Sequence, residues 1–187
     1  LDLKADIGTP HHSASKATVE RCVQTANELT SVGLVQSNLD EVWWPESMMC
    51  NIFLKMICDK KSNGKTAFRE RFGADFAGPV FPFGIEVKYY PCSDKDKSRL
   101  PSFGNRMIPG FFLGYDQRAG GGWSGDLFVL DMEELMAPDC DAETLHVRRI
   151  PGPDVVAERH QDKFVFPAHD PGFSQPTYKC NGVIGPG

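Results

Sequence analysis

The pattern of apolar residues changes in the middle of the chain, at the stretch GPVFPFG that occupies residues 78–84. Before this stretch, apolar residues recur at helical spacing. After it, short runs rich in β-branched and aromatic residues alternate with turn residues, which is typical of strands. We therefore predict an α+β protein with a helical segment over residues 1–78, a β module over residues 79–150 and an extended tail over residues 151–187.

The helical segment is predicted to contain two longer helices and a short third one. One helix face is marked by apolar residues at helical spacing: Val19, Cys22, Val23, Ala26 and Leu29. This spacing predicts an amphipathic helix over residues 17–32 that ends at Gly33. A second helix begins near Asp40, with Pro45 in its first turn and a broad apolar surface that predicts burial. Thr66 is the predicted cap of the short third helix, AFRERF.

The second half of the chain contains four segments with the composition of strands: residues 85–90, 106–115, 126–133 and 143–150. The glycine-rich residues 116–126 are predicted to be the loop of a hairpin between two of them. Four or five short strands in so few residues predict a small antiparallel barrel or curled sheet. From Pro151 onward the chain is rich in Pro and Gly and has no long periodic run, so we expect an extended tail that becomes ordered only by lying on something.

Charge is distributed unevenly along the chain. The net charge is -5, so the chain as a whole is not typical of a basic nucleic-acid binder. Only residues 61–110 are basic, with 9 Lys and Arg residues against 5 Asp and Glu residues. The best candidate contacts to a nucleic-acid backbone are Lys95, Lys97 and Arg99 of the motif KDKSR. The alternative for this motif is a solvated loop, because two Asp residues interrupt its positive charge.

Motifs of known enzyme chemistry are absent from the sequence. None of the six cysteines forms a CxxC pair, which argues against a structural zinc site, while a disulfide stays open. The His pair at 11–12 is not predicted to bind a metal, because adjacent side chains rarely point at one ion. The acidic pairs at 40–41 and 133–134 are predicted to be solvated surface charge. No nucleophile elbow, phosphate-binding loop or dinucleotide fingerprint occurs.

Neither a membrane span nor a signal peptide is predicted. The longest apolar stretches are far shorter than a bilayer-spanning helix. Residues 1–15 contain no continuous apolar run and no initiator Met, so we expect a chain that is trimmed, processed or part of something longer.

Five motifs follow one another in an order that resembles the back half of an integrase from a copia-type retrotransposon polyprotein: TPHHSASKATVER, WWPESMMCNIFLK, TAFRERFG, FGIEVKYY and MIPGFFLGY. The resemblance covers roughly residues 9–135. It implies the end of an RNase H-like catalytic core, followed by an SH3-like β barrel.

The chemistry implied by this resemblance is DNA strand transfer, in which three carboxylates hold two Mg²⁺ ions. Glu20 would be the third carboxylate, and Lys16 and Arg21 beside it could touch DNA phosphates. The two Asp ligands of the family lie well upstream of the Glu, whereas here only Asp2 and Asp6 precede it, too close for either role. Because one carboxylate cannot hold two hard cations, we predict no catalysis by this chain and no cofactor, with Mg²⁺ relevant only to a complete site.

Two functions remain open on this basis. The first is a non-catalytic, integrase-derived protein that acts through protein–protein contacts as a structural or accessory subunit, for which an organellar complex is one location. The alternative is a fragment of an active integrase, which would be nuclear and would bind DNA. Trp123 is the predicted partner contact, because it lies in a glycine-rich loop and such loops are usually exposed.

Overall fold

The longer helices precede the strands along the chain. The computed structural model describes residues 13–137 and 145–173, with side chains from residue 17 onward. The longer helices, in chain order, are α1 (Ser13–Ser37), α2 (Trp44–Cys58) and α3 (Ala67–Phe72), with a 3₁₀ turn (Glu41–Trp43) before α2. Two single-turn helices, α4 (Asp94–Lys97) and α5 (Met132–Leu135), lie among the strands.

Helix α1 continues beyond Gly33, so the predicted stop at this residue is wrong. A Cβ atom on Gly33 would lie 2.2 Å from Asn51 Nδ2 and 2.5 Å from Ser47 Oγ, both on α2. The glycine therefore allows the two helices to approach closely. The helix ends instead before Asn38, which has a left-handed backbone (φ 56°), as a helix C-terminus often requires.

Helix α2 packs one face against the sheet and leaves the other exposed. Pro45 lies in its first turn, as predicted. Its buried face consists of residues three or four positions apart: Ser47, Cys50, Phe53 and Ile57. The broad burial predicted for α2 is wrong for the opposite face, because Trp44, Met49 and Ile52 are exposed. The neighbouring Trp43 is the buried tryptophan.

The strands form one five-stranded antiparallel sheet in the order β4-β3-β2-β1-β5. They are β1 (Glu86–Tyr89), β2 (Ile108–Gln117), β3 (Trp123–Asp131), β4 (Val147–Pro151) and β5 (Val155–Ala157). The α+β class with an antiparallel sheet is confirmed. Strands β4 and β5 are the two edges, and no ladder joins them within the described part of the chain, so the sheet is not a closed barrel there.

The segment after residue 150 is part of the fold rather than an irregular extension. Strand β5 pairs with β1, and a small hairpin of β6 (Arg159–His160) and β7 (Lys163–Phe164) follows it. The Glu86 N–H donates to the Val165 carbonyl at 2.8 Å, and Phe173 packs on Phe111 with ring centroids 5.5 Å apart. Residues 151–173 are therefore ordered by lying on the sheet, as expected of the extended tail, but the strands that they contain were not predicted. Residues 174–187 lie outside the described residues.

The core lies between α2 and the sheet. Phe53 of α2 stacks on Tyr115 of β2 with ring centroids 4.6 Å apart, and contacts Phe76 at 5.5 Å. The Tyr115 hydroxyl donates to the Pro79 carbonyl at 3.0 Å and accepts from the Phe81 N–H at 2.8 Å. Tyr115 therefore holds residues 79–81, which connect the helices to the sheet, against the core.

Candidate functional site

Glu20 and Arg21, the residues that resemble part of an integrase site, lie on the exposed first half of α1. Lys16 also lies on α1, but its side chain is outside the described residues, as are Asp2 and Asp6 entirely. Within residues 13–137 and 145–173, no group of three or more His, Cys, Asp or Glu side chains is placed to hold a metal ion. The role of Glu20 as a former metal ligand stays a prediction.

The motif KDKSR does not form one basic patch. Lys95 and Lys97 lie on helix α4 and are exposed, with Lys97 Nζ 3.8 Å from Asp94 Oδ1. The Arg99 guanidinium instead donates to Asp131 Oδ2 at 2.7 Å and also bonds Glu133. The structure therefore separates Arg99 from the two lysines with which it was grouped, and the alternative of a loop is wrong because Asp94–Lys97 is helical.

Arg148, on strand β4, is the centre of a buried ion-pair network. Its Nε and Nη2 atoms donate to Asp96 Oδ2 and Oδ1 at 2.8 and 3.0 Å. Its Nη1 and Nη2 atoms donate to Glu134 Oε2 and Oε1 at 2.9 and 2.7 Å. Two bidentate pairs at one guanidinium fix its position and orientation.

Asp131, at the end of β3, is a second centre of the same network and is 0% exposed. The Tyr89 hydroxyl donates to its Oδ2 atom at 2.7 Å, as Arg99 does. Its Oδ1 atom accepts from the backbone N–H of Glu133 at 2.9 Å and of Glu134 at 3.3 Å, which caps helix α5. The network thus joins strands β1, β3 and β4 to helices α4 and α5.

The network holds each of these groups in one protonation state at neutral pH. Hydrogen bonds from Arg148 lower the pKa of Asp96 to about 2, against the opposing effect of burial. Burial raises the pKa of Asp131, but the hydrogen bonds from Arg99 and Tyr89 outweigh it and leave this pKa below its usual range. Burial and the hydrogen bond to Asp131 raise the pKa of Tyr89. Because Asp96, Asp131 and Tyr89 each stay in one protonation state, they stabilise the fold rather than transfer protons.

The prediction that the acidic pair at 133–134 is solvated surface charge is wrong for Glu134, which is half-buried, whereas Glu133 is exposed. Glu133 bonds Arg99, and Glu134 bonds Arg148. The capping role of Asp131 has a local signal, since an Asp directly before a helical turn is a common N-cap. The pairing of Asp96 with Arg148 has none, because 52 positions separate the two residues.

Trp123 occupies the start of β3 rather than an exposed loop. Its Nε1–H donates to the Asp126 carbonyl at 2.7 Å, and its ring lies 5.1 Å from that of Phe76. Trp123 is therefore half-buried, and its role as a partner contact stays a prediction. Strand β3 begins here, three residues earlier than predicted, because the ring packs on the core.

The described cysteines are free thiols: Cys22, Cys50, Cys58 and Cys92. Burial raises the pKa of Cys50, so this thiol is protonated and unreactive at neutral pH. The cysteines at positions 140 and 180 lie outside the described residues. None of the described thiols therefore forms a disulfide in the structure.

The feature that best indicates a binding function is the exposed surface around the first turn of α2, which we call the hairpin surface. We define it by its apolar and acidic side chains from α1, the 3₁₀ turn and α2 (Val35, Glu41, Trp44, Glu46, Met48 and Met49), beside which uncharged polar residues of α1 also line the larger of two grooves. A groove of about 730 Å³ lies on one side of it and one of about 420 Å³ on the other. Its composition suits protein contact better than bond-making chemistry.

Comparison with known proteins identifies no relative of this chain. No family model matches the chain, no curated protein is similar to it, and no solved structure matches its fold. Among the described residues, no helix combines the length and apolar character that crossing a bilayer requires. The relation to copia-type integrases therefore stays a prediction based on the ordered motifs.

Proposed function

We propose that this chain is a non-catalytic protein derived from a copia-type retrotransposon integrase, and that it acts through protein–protein contacts as a structural or accessory subunit. The observation that carries the proposal is the uneven distribution of exposed apolar side chains. Of the twelve large apolar residues that the structure exposes, seven lie on α1 and α2: Val19, Val23, Val32, Val35, Trp44, Met49 and Ile52. Such a concentration on one helical hairpin is typical of an interaction surface.

The order of the elements supports the proposed ancestry. A long helix carrying Glu20, a Trp-containing helix and a short third helix precede the sheet, in the order that the resemblance implies. In the sheet, β1 to β4 pair in sequence, and β5 returns to pair with β1 after a 3₁₀ turn at Gly152–Asp154. This connectivity is also found in SH3-like barrels, which supports an SH3-like module that is open in the described residues.

A second function is favoured by a separate observation. Glu20 and Arg21 are exposed on α1, so packing within the described residues does not cover them. In a fragment of an active integrase, these side chains would face DNA and Mg²⁺ once two upstream Asp residues completed the site. This alternative predicts DNA binding and Mg²⁺-dependent strand transfer by a longer protein.

Two measurements on the purified chain distinguish these functions. The first is DNA binding across a salt series, and the second is stoichiometric association with a defined complex from the native source. We expect the chain to associate with the complex and to bind DNA negligibly at about 150 mM salt. Strand transfer by a longer protein that contains this chain, abolished by Glu20→Gln, would overturn the proposal in favour of the alternative.

A further inference from the structure

Residues of the first turn of α2 line both grooves of the hairpin surface. Val35, Glu41 and Met48 contribute to the larger groove, and Glu46 and Met49 to the smaller one. Trp44 and Pro45 are consecutive residues that line the larger and the smaller groove, respectively. A partner that covers this turn can therefore contact the edges of both grooves.

The charged side chains of residues 22–54, which span most of α1 and α2, are all acidic. Residues 22–54 contain no Lys, Arg or His but contain four acidic residues: Glu28, Asp40, Glu41 and Glu46. Within the described part of the chain, Glu41 and Glu46 form no ion pair. Asp116, which also lines the smaller groove, is already paired with Arg149 at 2.9 Å. The surface thus offers two carboxylates that lack a cationic partner.

The apolar side chains beside these carboxylates are of the types that contribute most to protein interfaces. Trp44 is 54% exposed, Met49 is 56% exposed and Val35 is 77% exposed. Trp is enriched among residues that carry binding energy, and Met adapts its shape to different partners. A ligand for this surface therefore needs apolar side chains as well as positive charge.

We propose that the hairpin surface binds a positively charged amphipathic segment of a protein partner, with apolar side chains in the two grooves and Lys or Arg side chains against Glu41 and Glu46. This inference rests on the proposed function, since it names the surface and the kind of partner through which the chain acts. Nucleic acid does not fit this surface, because its phosphates would face the carboxylates of Glu41 and Glu46.

The probe for this proposal is a synthetic amphipathic helix of Leu and Lys, labelled and titrated with the full chain in a fluorescence anisotropy experiment. We expect saturable binding that weakens with salt, and a blue shift of tryptophan emission that disappears in Trp44→Phe. We expect Trp44→Ala and the double variant Glu41→Lys/Glu46→Lys each to weaken binding by about tenfold or more. A Leu/Glu helix of the same pattern should not bind.

Two matched variants control for exposed aromatic area and for net charge. Phe103→Ala removes an aromatic side chain that is 94% exposed and lies outside the hairpin surface. Glu20→Lys/Asp94→Lys changes the net charge as much as the double variant does, at two exposed acidic residues elsewhere. Both controls should bind like the unaltered chain, and thermal unfolding should show that every variant is folded.

Equal binding by the hairpin-surface variants and the controls would overturn the inference, and so would competition by duplex DNA. These outcomes are distinguishable from failure of the proposed function. If the chain joins a defined complex and the Trp44 and Glu41/Glu46 variants join it equally well, the accessory role stands and this surface is not the one used. If a longer protein catalyses strand transfer, the proposed function fails whatever the helix peptide does.

Discussion

The sheet and the first half of α1 both have amphipathic sequence patterns, but only the sheet buries its apolar residues. Val87 of β1 and Leu127 of β3 are 0% exposed, whereas Val19 and Val23 of α1 are 64% and 54% exposed. The periodicity of α1 is nevertheless that of a helix, and Ser13–Ser37 is helical in the structure. The comparison shows that periodicity predicts which face of an element is apolar, while burial also requires a surface to cover that face.

The two regions also differ in the burial of their charged side chains. At the sheet, Asp131 and Arg148 are buried with Asp96 of the adjoining helix α4, and the three are bonded to one another or to close neighbours. On α1, Glu20 and Arg21 are exposed to solvent. The sheet is thus stabilised from within, and the first half of α1 adds little to the stability of the described fold.

The largest effect is expected where the buried network is broken. Arg148→Leu removes the partner of Asp96 and Glu134 and leaves buried carboxylate charge uncompensated, so we expect the free energy of unfolding to fall by about 3–5 kcal/mol. Urea denaturation measures this loss directly.

Arg149→Leu is the matched control, one residue along the same strand. Arg149 is 58% exposed and pairs with Asp116 and Asp126, so its loss should reduce the free energy of unfolding by no more than about 1 kcal/mol. Equal effects of the two substitutions would show that the buried network contributes no more than a surface ion pair.

A smaller effect is expected from acid, again in the buried network beside the sheet. The pKa of Asp96 is lowered from 3.8 to about 2 in the folded protein, so its pairing stabilises the fold fully above the higher value. This stabilisation, about 2 kcal/mol, should be lost as the pH falls from about 4 to about 2. Unfolding free energies measured over that range check the prediction.

Asp96→Asn supplies the comparison for the acid series. This variant is less stable at neutral pH, since the amide cannot form the charged pair with Arg148, but its stability should depend less steeply on pH below 4. If the two proteins lose stability in parallel from pH 4 to pH 2, the acid sensitivity comes from other carboxylates, among which Asp131 also has a lowered pKa.

Much of the fold could be predicted from local sequence, because caps and periodicities act over a few residues. Thr66 caps α3 by accepting from the Arg69 N–H, and Pro45 lies in the first turn of α2, as their positions predict. Gly33 was misassigned because a glycine that ends a helix and one that permits close packing look the same in sequence. Only the position of α2 beside it distinguishes the two roles.

The candidate site was less predictable, because it depends on contacts between distant residues. The network of Arg148 and Asp96 is visible only once β4 and α4 are adjacent in space. The exposure of Trp44 rather than Trp43 depends on how α2 is rotated about its axis, and apolar periodicity does not decide between two adjacent tryptophans. The partial burial of Trp123 was missed for a similar reason, because glycine-rich neighbours do not reveal the Phe76 ring on which it packs.

The smallest effect is expected on the exposed half of α1, and it sharpens the comparison with the sheet most directly. Val23→Ser should change the free energy of unfolding by less than about 0.5 kcal/mol, because the side chain is already largely in water. The same substitution at Val87, which is 0% exposed, should cost about 3 kcal/mol through the lost packing and the buried hydroxyl. Urea denaturation of the pair, at one protein concentration, measures both. A loss at Val23 as large as that at Val87 would mean that the free chain already covers this face of α1.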